Sequence, residues 1–352
     1  EAERLVAPSR DHALHTRIEL MLTQSQLLAR SGDVSAAKSA ALRASNLAEP
    51  SGDAPRFARC AIGYAELVNA GEPDPAAPAL CHEALRQLGD DHPAVSAAVL
   101  AALANYHSVV LADPVTALHL ADRARALTPN TDRTTLAETL WAHGCAQLGS
   151  SDVSARLVTA EALLDHTVPG DRRHVEALRL VAHTTFELGD RRGAQQAVAC
   201  LGRVGCDHGS WDALLWSEIW RAQFALLDGD LDGAEQITGR VLDDIAGESF
   251  YATTLALTQR CHQHLERGSL PVMLPVLESV AETIDLPGVG AMLAAALVQG
   301  GELDRARALV ERCAAARFDD LPIDQTFTGA LARWIDVSLA LSLHAPNDAL
   351  RN

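Results

Sequence analysis

The sequence predicts an all-α protein built from stacked helical hairpins, an α-solenoid in one continuous array. Three observations carry that prediction. Apolar residues make up 48% of the chain but aromatics only 4%, so the hydrophobic content is mostly Ala, Leu and Val. Alanine carries no rotamer entropy and lets helix backbones approach closely. A helix-ending residue then recurs at Gly32, Gly71, Ala112, Gly149, Gly189, Gly229, Gly268 and Gly301, with successive spacings of 39, 41, 37, 40, 40, 39 and 33. Finally, 352 residues are long for one compact core, and a regular array accommodates them without a single centre.

The stretch WRAQFALLDGDLDGAEQITGRVLDD at 220–244 shows the parts of one unit. A first helix ends at Gly229, and Asp230 follows where its carboxylate can cap the next helix and favour its positive end. Asp33, Asp113, Asp190 and Glu302 stand in the same place. A small residue sits in the first turn of each second helix: Ala37, Ala117, Ala155, Ala194, Ala234 and Ala306. Seven residues further on, Ala44, Ala124 and Cys313 are small as well, and Pro50 or Pro129 closes the helix soon after. Small residues two turns apart on one face make a flat contact for the neighbouring helix. The phrase runs through about eight hairpins, and His344 to Ala349 reads as the turn and start of a further second helix.

Charge and cysteine usage exclude several classes of function. A formal charge of −17 opposes a nucleic-acid surface, because phosphate binding needs a basic stripe that releases counterions. Lys38 is the one lysine, and the stretch SAAKSA around it has no glycine frame for a phosphate loop. Seven scattered cysteines make a poor disulfide framework, and nothing at the N-terminus resembles a secretion signal, so cytoplasmic residence is expected. The longest apolar stretches, such as AMLAAALVQG, are too short to cross a bilayer.

Catalysis and cofactors are not expected either. The carboxylates of LDDIAGE and RFDDLPID fall at helix ends, where caps explain them, and GSWD lacks the frame of a nucleophile elbow. In CHQH, Cys261 and His264 share a helix face, but no second chelating pair lies near, so no metal site is expected. Trp216 and Trp220, four apart, share one face, and at least one of them is expected between repeats.

The alternation of helix, turn and small residue resembles the tetratricopeptide repeat, whose usual period is 34. That resemblance implies a right-handed superhelix with an inner groove. Three stretches, at 88–128, 220–236 and 300–327, look more narrowly like the repeat region of large bacterial ATP-dependent transcriptional regulators. These are the MalT-like and LuxR-type regulators, with related adenylate cyclases built on an ATPase-plus-repeats plan. The resemblance implies that residues 1–352 are a single array excised from such a multidomain chain, or a member reduced to it. The ATPase and DNA-binding domains of the full-length chain would then be its output.

In repeats of this kind the first helix of each pair lines the groove, and the position six before the turn residue points inward. That column reads Gln26, Ala65, Tyr106, His143, His183, Gln223, His262 and Ala295, with Arg179 and Phe186 flanking His183 and Trp216 near the same side. Tyr106, His143, Arg179, His183, Phe186, Trp216, Gln223 and His262 are therefore the binding candidates. Three imidazoles in one column imply pH-dependent binding, since free imidazole titrates near ~6.5. The expected function is effector sensing, with a small molecule in the groove. A pure protein-interaction scaffold and an unrecognised helical-repeat enzyme are the alternatives, and the sequence fixes no oligomeric state.

Overall fold

The computed structural model describes residues 10–30, 33–68, 73–128, 132–148, 152–245, 250–283, 287–315 and 327–341. Among them are seventeen α-helices and no strands. They pair as α1 (Arg10–Arg30) with α2 (Val34–Ala48), α3 (Ala54–Ala65) with α4 (Ala76–Leu88), α5 (Pro93–Asn105) with α6 (Pro114–Leu127), and α7 (Arg133–Ala146) with α8 (Val153–Asp165). The series continues as α9 (Arg172–Glu187) with α10 (Arg191–His208), α11 (Trp211–Leu227) with α12 (Leu231–Arg240), α13 (Phe250–Glu266) with α14 (Leu274–Thr283), and α15 (Pro287–Gln299) with α16 (Leu303–Ala315). A last helix, α17 (Phe327–Ala340), follows. The turn residues Gly32, Gly71 and Gly149, with Pro129 and the stretch from His344 to Ala349, lie outside the described residues.

Four of the described hairpins turn by the same local chemistry. Gly189, Gly229, Gly268 and Gly301 take left-handed φ values of 81, 77, 69 and 77°, which glycine adopts without steric cost. The N–H groups of Asp190, Asp230, Ser269 and Glu302 then donate to the carbonyls of Thr185, Ala225, His264 and Leu297, at 2.9, 2.9, 2.8 and 2.9 Å. The next helix starts on a capped end. N–H groups of Ala36, Thr116, Ala155, Gly193 and Gly233 donate to the carboxylates of Asp33, Asp113, Asp152, Asp190 and Asp230, each worth about 1 kcal/mol.

Four residues after these caps, and after Glu302, stand Ala37, Ala117, Ala194, Ala234 and Ala306, all at 0% exposure. The fourth hairpin departs from the pattern. Its connection is longer and its cap is Asp152, so the equivalent position is Arg156 and not Ala155, which is only half-buried. Arg156 is itself at 0% exposure. Its guanidinium donates to the carbonyls of Gln147 and Leu148 at 3.2 and 3.1 Å, to the Thr184 hydroxyl at 3.2 Å, and to Glu187. A charge inside the stack is tolerated because its donors are shared among backbone, hydroxyl and carboxylate.

The hairpins stack in one direction. Besides its own partner, most odd-numbered helices meet the next odd-numbered one: α3 with α5, α5 with α7, α7 with α9, α9 with α11, α11 with α13 and α15 with α17. The even-numbered helices make no comparable contact with one another. The odd-numbered helices therefore form the more closely packed row. Its core is divided along its length, with one apolar cluster over α1–α7, one over α9–α13 and one over α13–α17. Between the first two lies a small cluster of Ala137, Ala160, Leu163, Ala177 and Leu180. There Leu180 comes so close to Gly144 that an added Cβ would lie 2.6 Å from it.

One apolar stretch exceeds the sequence expectation. Residues Pro93–Val110 form a helix of 18 residues, long and apolar enough by length and composition to cross a membrane. It packs against α3, α4, α6 and α7 and contributes Val99, Leu100 and Leu103 to the first core.

Two stability predictions follow from these turns and contacts. Ala112, at φ 50°, is the one non-glycine residue in the left-handed region among the described residues. Ala112→Gly is expected to stabilise the protein by about 1 kcal/mol, read as a higher denaturant midpoint at unchanged slope. Arg156→Ala is expected to cost about 3–5 kcal/mol, because it leaves carbonyls and Glu187 without their donor. Arg156→Met should cost less, since methionine fills the space, and equal losses in the two variants would contradict that account.

Candidate functional site

In the row of odd-numbered helices, α9 presents Arg172, Glu176, Arg179, His183 and Glu187 at spacings of four, three, four and four, which places them on one side of the helix. Neighbouring odd helices supply partners on both flanks. From α7, Glu138 binds the Arg173 guanidinium through Nε at 2.8 Å and through Nη2, while the guanidinium carbon lies 5.6 Å from the centre of the Trp141 ring. From α11, Trp216 lies under Arg179, with the guanidinium carbon 3.8 Å from the ring centre, and Arg179 also binds Glu176. Trp220 and Phe224 extend the aromatic row, Trp220 meeting His183 edge-on at 5.2 Å and Phe186 at 5.6 Å. Stacked guanidinium–indole pairs of this kind gain roughly 0.5–2 kcal/mol each.

One contact skips several helices. Arg172 Nη1 donates to Glu66 Oε2 at 2.8 Å and Arg173 Nη2 to Glu66 Oε1 at 3.0 Å. Glu66 caps the end of α3, so it ties the second hairpin to the fifth. Burial works against the Glu66 charge, but the two arginines outweigh it and hold its carboxyl below the ordinary range. Arg173 likewise suffers from burial, and Glu138, Glu66 and Glu176 keep it charged. Asp212, in the first turn of α11, goes the other way. Burial pushes its carboxyl up, Glu176 adds to that, and Arg179 and Arg172 offset it only in part.

The candidates named from the sequence divide into two groups. Arg179, His183, Phe186, Trp216 and Gln223 all lie where α9, α11 and α13 face one another, and Gln223 accepts a hydrogen bond from Gln259 of α13 at 3.1 Å. His262 is half-buried on α13, and burial together with nearby Arg333 lowers its pKa against the pull of Glu266. Trp216 and Trp220 are both buried between repeats, at 8 and 6% exposure.

Tyr106 and His143 are corrections. α5 ends in a π turn, Tyr106–Val110, and the capping bond there runs from Asp113 N–H to His107 C=O, six residues back instead of five. The extra residue shifts the register by one. Asn105 takes the level of His183, while Tyr106 is 4% exposed in the first core and donates its hydroxyl to the Asp74 carbonyl at 3.2 Å. The longer connection before Asp152 shifts the fourth hairpin by two residues, a rotation of about 200° on a helix. His143 accordingly meets Asp122 of α6 at 3.2 Å, and the positions of α7 that meet α9 are Glu138 and Trp141. The three imidazoles do not share one column.

Sequence reasoning therefore missed Glu66, Glu138, Trp141, Arg172, Arg173, Glu176 and Asp212. Aligning on the helix cap instead of the turn glycine would have recovered Glu138 and Trp141. Nothing local marks Glu66, whose partners lie 106 and 107 residues away. Away from this face, Cys261 is buried with its thiol pushed up to about 11 by burial, and His264 bonds the Ser269 hydroxyl at 2.9 Å. Among the described residues no group of three His, Cys, Asp or Glu is placed to hold a metal ion.

Comparison with known protein families gives no matching family model, and comparison with curated proteins gives no matching relative.

The raised carboxyl of Asp212 sets a pH prediction. A folded-state pKa above the unfolded one means that Asp212 supports the fold fully below the unfolded value, near ~3.9, and that this support is lost as pH rises through the folded value. Asp212→Asn is thus expected to raise the thermal midpoint at about pH 7, with a gain that shrinks towards about pH 3.5. A gain independent of pH would show that charge is not its cause.

Proposed function

We propose that this array is the effector-sensing region of a bacterial transcriptional regulator and that it binds a small molecule on its inner face. The observation that carries this reading is the convergence of Arg173 on Trp141 and Arg179 on Trp216, in a row with four carboxylates drawn from α3, α7, α9 and α11. Apolar ring faces beside a few oriented charged groups are what a recognition site for a polar organic molecule needs. We read the module as binding and not catalytic, because the arginines and carboxylates here neutralise one another and the thiol beside them, Cys145, is buried with its pKa pushed up by burial. The assignment to MalT-like and LuxR-type regulators rests on the sequence resemblance, and with it the ATPase and DNA-binding domains as output. Residence in the cytoplasm is supported by seven cysteines that are all free.

A ligand can shift such an array only by preferring one arrangement of its hairpins over another. A second reading, a partner-binding scaffold, is favoured by exposed Leu111, Val115 and Leu118 around the turn between α5 and α6.

A thermal-shift screen of sugars, nucleotides and organic acids is expected to find a ligand that stabilises the wild type. The shift should fall at least about tenfold in concentration dependence in Arg179→Met, a variant that keeps the side-chain volume. A ligand whose effect is the same in Arg179→Met binds elsewhere. Failure of every small molecule, together with complex formation on size exclusion that Val115→Asp abolishes, would favour the scaffold.

A further inference from the structure

The geometry points to the Arg172–Arg173 pair as a clamp for a small organic carboxylate, with Glu66 as its built-in competitor. The inference rests on the effector-sensing reading and gives the effector a chemical class. Glu66 already shows what the clamp holds. Its two carboxylate oxygens are divided between two guanidinium groups, one 2.8 Å from Arg172 and the other 3.0 Å from Arg173. Planar carboxylates and guanidinium forks match in this manner, with charge-assisted bonds roughly twice as strong as neutral ones.

The charge of the clamp selects among anions. Arg172 and Arg173 supply two positive charges, Glu138, bound to Arg173, removes one, and nearby Glu176 is balanced by its own partner Arg179. With Glu66 displaced the net is one positive charge, which suits a single carboxylate better than a phosphate dianion. Arg173 Nη1 is buried and has no hydrogen-bond partner among the described residues, so one donor of the clamp is still unused. Trp141 backs Arg173 and limits its movement. Arg172 is 57% exposed and Glu66 27%, so the clamp opens to solvent. A formal charge of −17 repels a polyanionic segment more than a small acid, which sets the source as a free metabolite and not an acidic peptide.

Displacement has a structural consequence. Glu66 is the link between the second and fifth hairpins, so a carboxylate that takes its place releases α3 from α9. Binding and release of that contact are two sides of one equilibrium, and the apparent affinity falls by the fraction of molecules in which Glu66 occupies the clamp.

The test is isothermal titration of the full chain with acetate, succinate and benzoate at fixed ionic strength, with sodium phosphate and an amidated triglutamate peptide as further arms. Glu66→Ala is expected to bind the small carboxylates at least about tenfold more tightly than the wild type. Adding Arg172→Met and Arg173→Met should remove that binding, with circular dichroism confirming the fold of each variant. X-ray scattering of Glu66→Ala should match that of the wild type saturated with succinate. Equal affinity in wild type and Glu66→Ala, or no carboxylate binding in either, overturns the clamp. Tighter binding of phosphate overturns the ligand class, and tighter binding of triglutamate overturns the source. A ligand response lost in Arg179→Met but untouched by Glu66→Ala would leave the sensing function standing while removing this clamp.

Discussion

The stacking of hairpins depends on how each turn delivers one residue to the contact between helices. A left-handed residue stops the first helix, a carboxylate caps the second, and the residue four beyond the cap is carried against its neighbours at full burial. An alanine there lets two helix axes come together. Because most of the described turns share this geometry, odd-numbered helices pack against one another from α3 to α13 and the even-numbered ones do not. The side of that row with its arginines and tryptophans is a consequence of the repetition.

The fourth hairpin is where the rule bends, and the functional candidates gather beside it. Arg156 replaces the alanine and reaches through the stack to Glu187, which also lies 3.8 Å from His183. On the other side of α9, Arg173 joins Glu138 and Glu66. The junction between the first two apolar cores is thus held largely by directional ionic contacts and a small cluster of five buried residues. Hydrogen bonds weaken steeply once donor and acceptor leave their preferred distance and angle. In the proposed sensing role, such a junction would pass between a paired and an unpaired arrangement, as an element that responds to a ligand requires.

A second polar centre shows the same construction used for stability alone. Asp74 accepts from the Tyr64 hydroxyl at 2.9 Å, receives the Ala76 N–H at 3.1 Å and lies 3.4 Å from Lys38. Burial opposes its charge, but those three donors outweigh it and keep its carboxyl low, while the Tyr64 hydroxyl is pushed up to about 12 by burial and by Asp74. Here all partners sit in adjacent hairpins, so the cluster fastens neighbours. The Glu66 contact spans hairpins that are not adjacent, and that difference in reach separates a fastening from a latch.

The sequence by itself determined the helical class, the glycine turns at Gly189, Gly229, Gly268 and Gly301 and the caps at Asp33, Asp113, Asp190 and Asp230, because each depends on a few neighbouring residues. It also placed Arg179, His183, Phe186, Trp216 and Gln223 on facing helices, since between Gly189 and Gly229 the period holds. Only the tertiary structure decided the rest. The π turn at Tyr106–Val110 and the longer connection before Asp152 change the register by one and two residues, and on a helix each residue turns the side chain by about 100°. That rotation buried Tyr106 and sent His143 to α6. The pairing of Glu66 with Arg172 and Arg173 was decided only by the tertiary structure, because contact between residues 106 and 107 apart depends on how every hairpin between them packs.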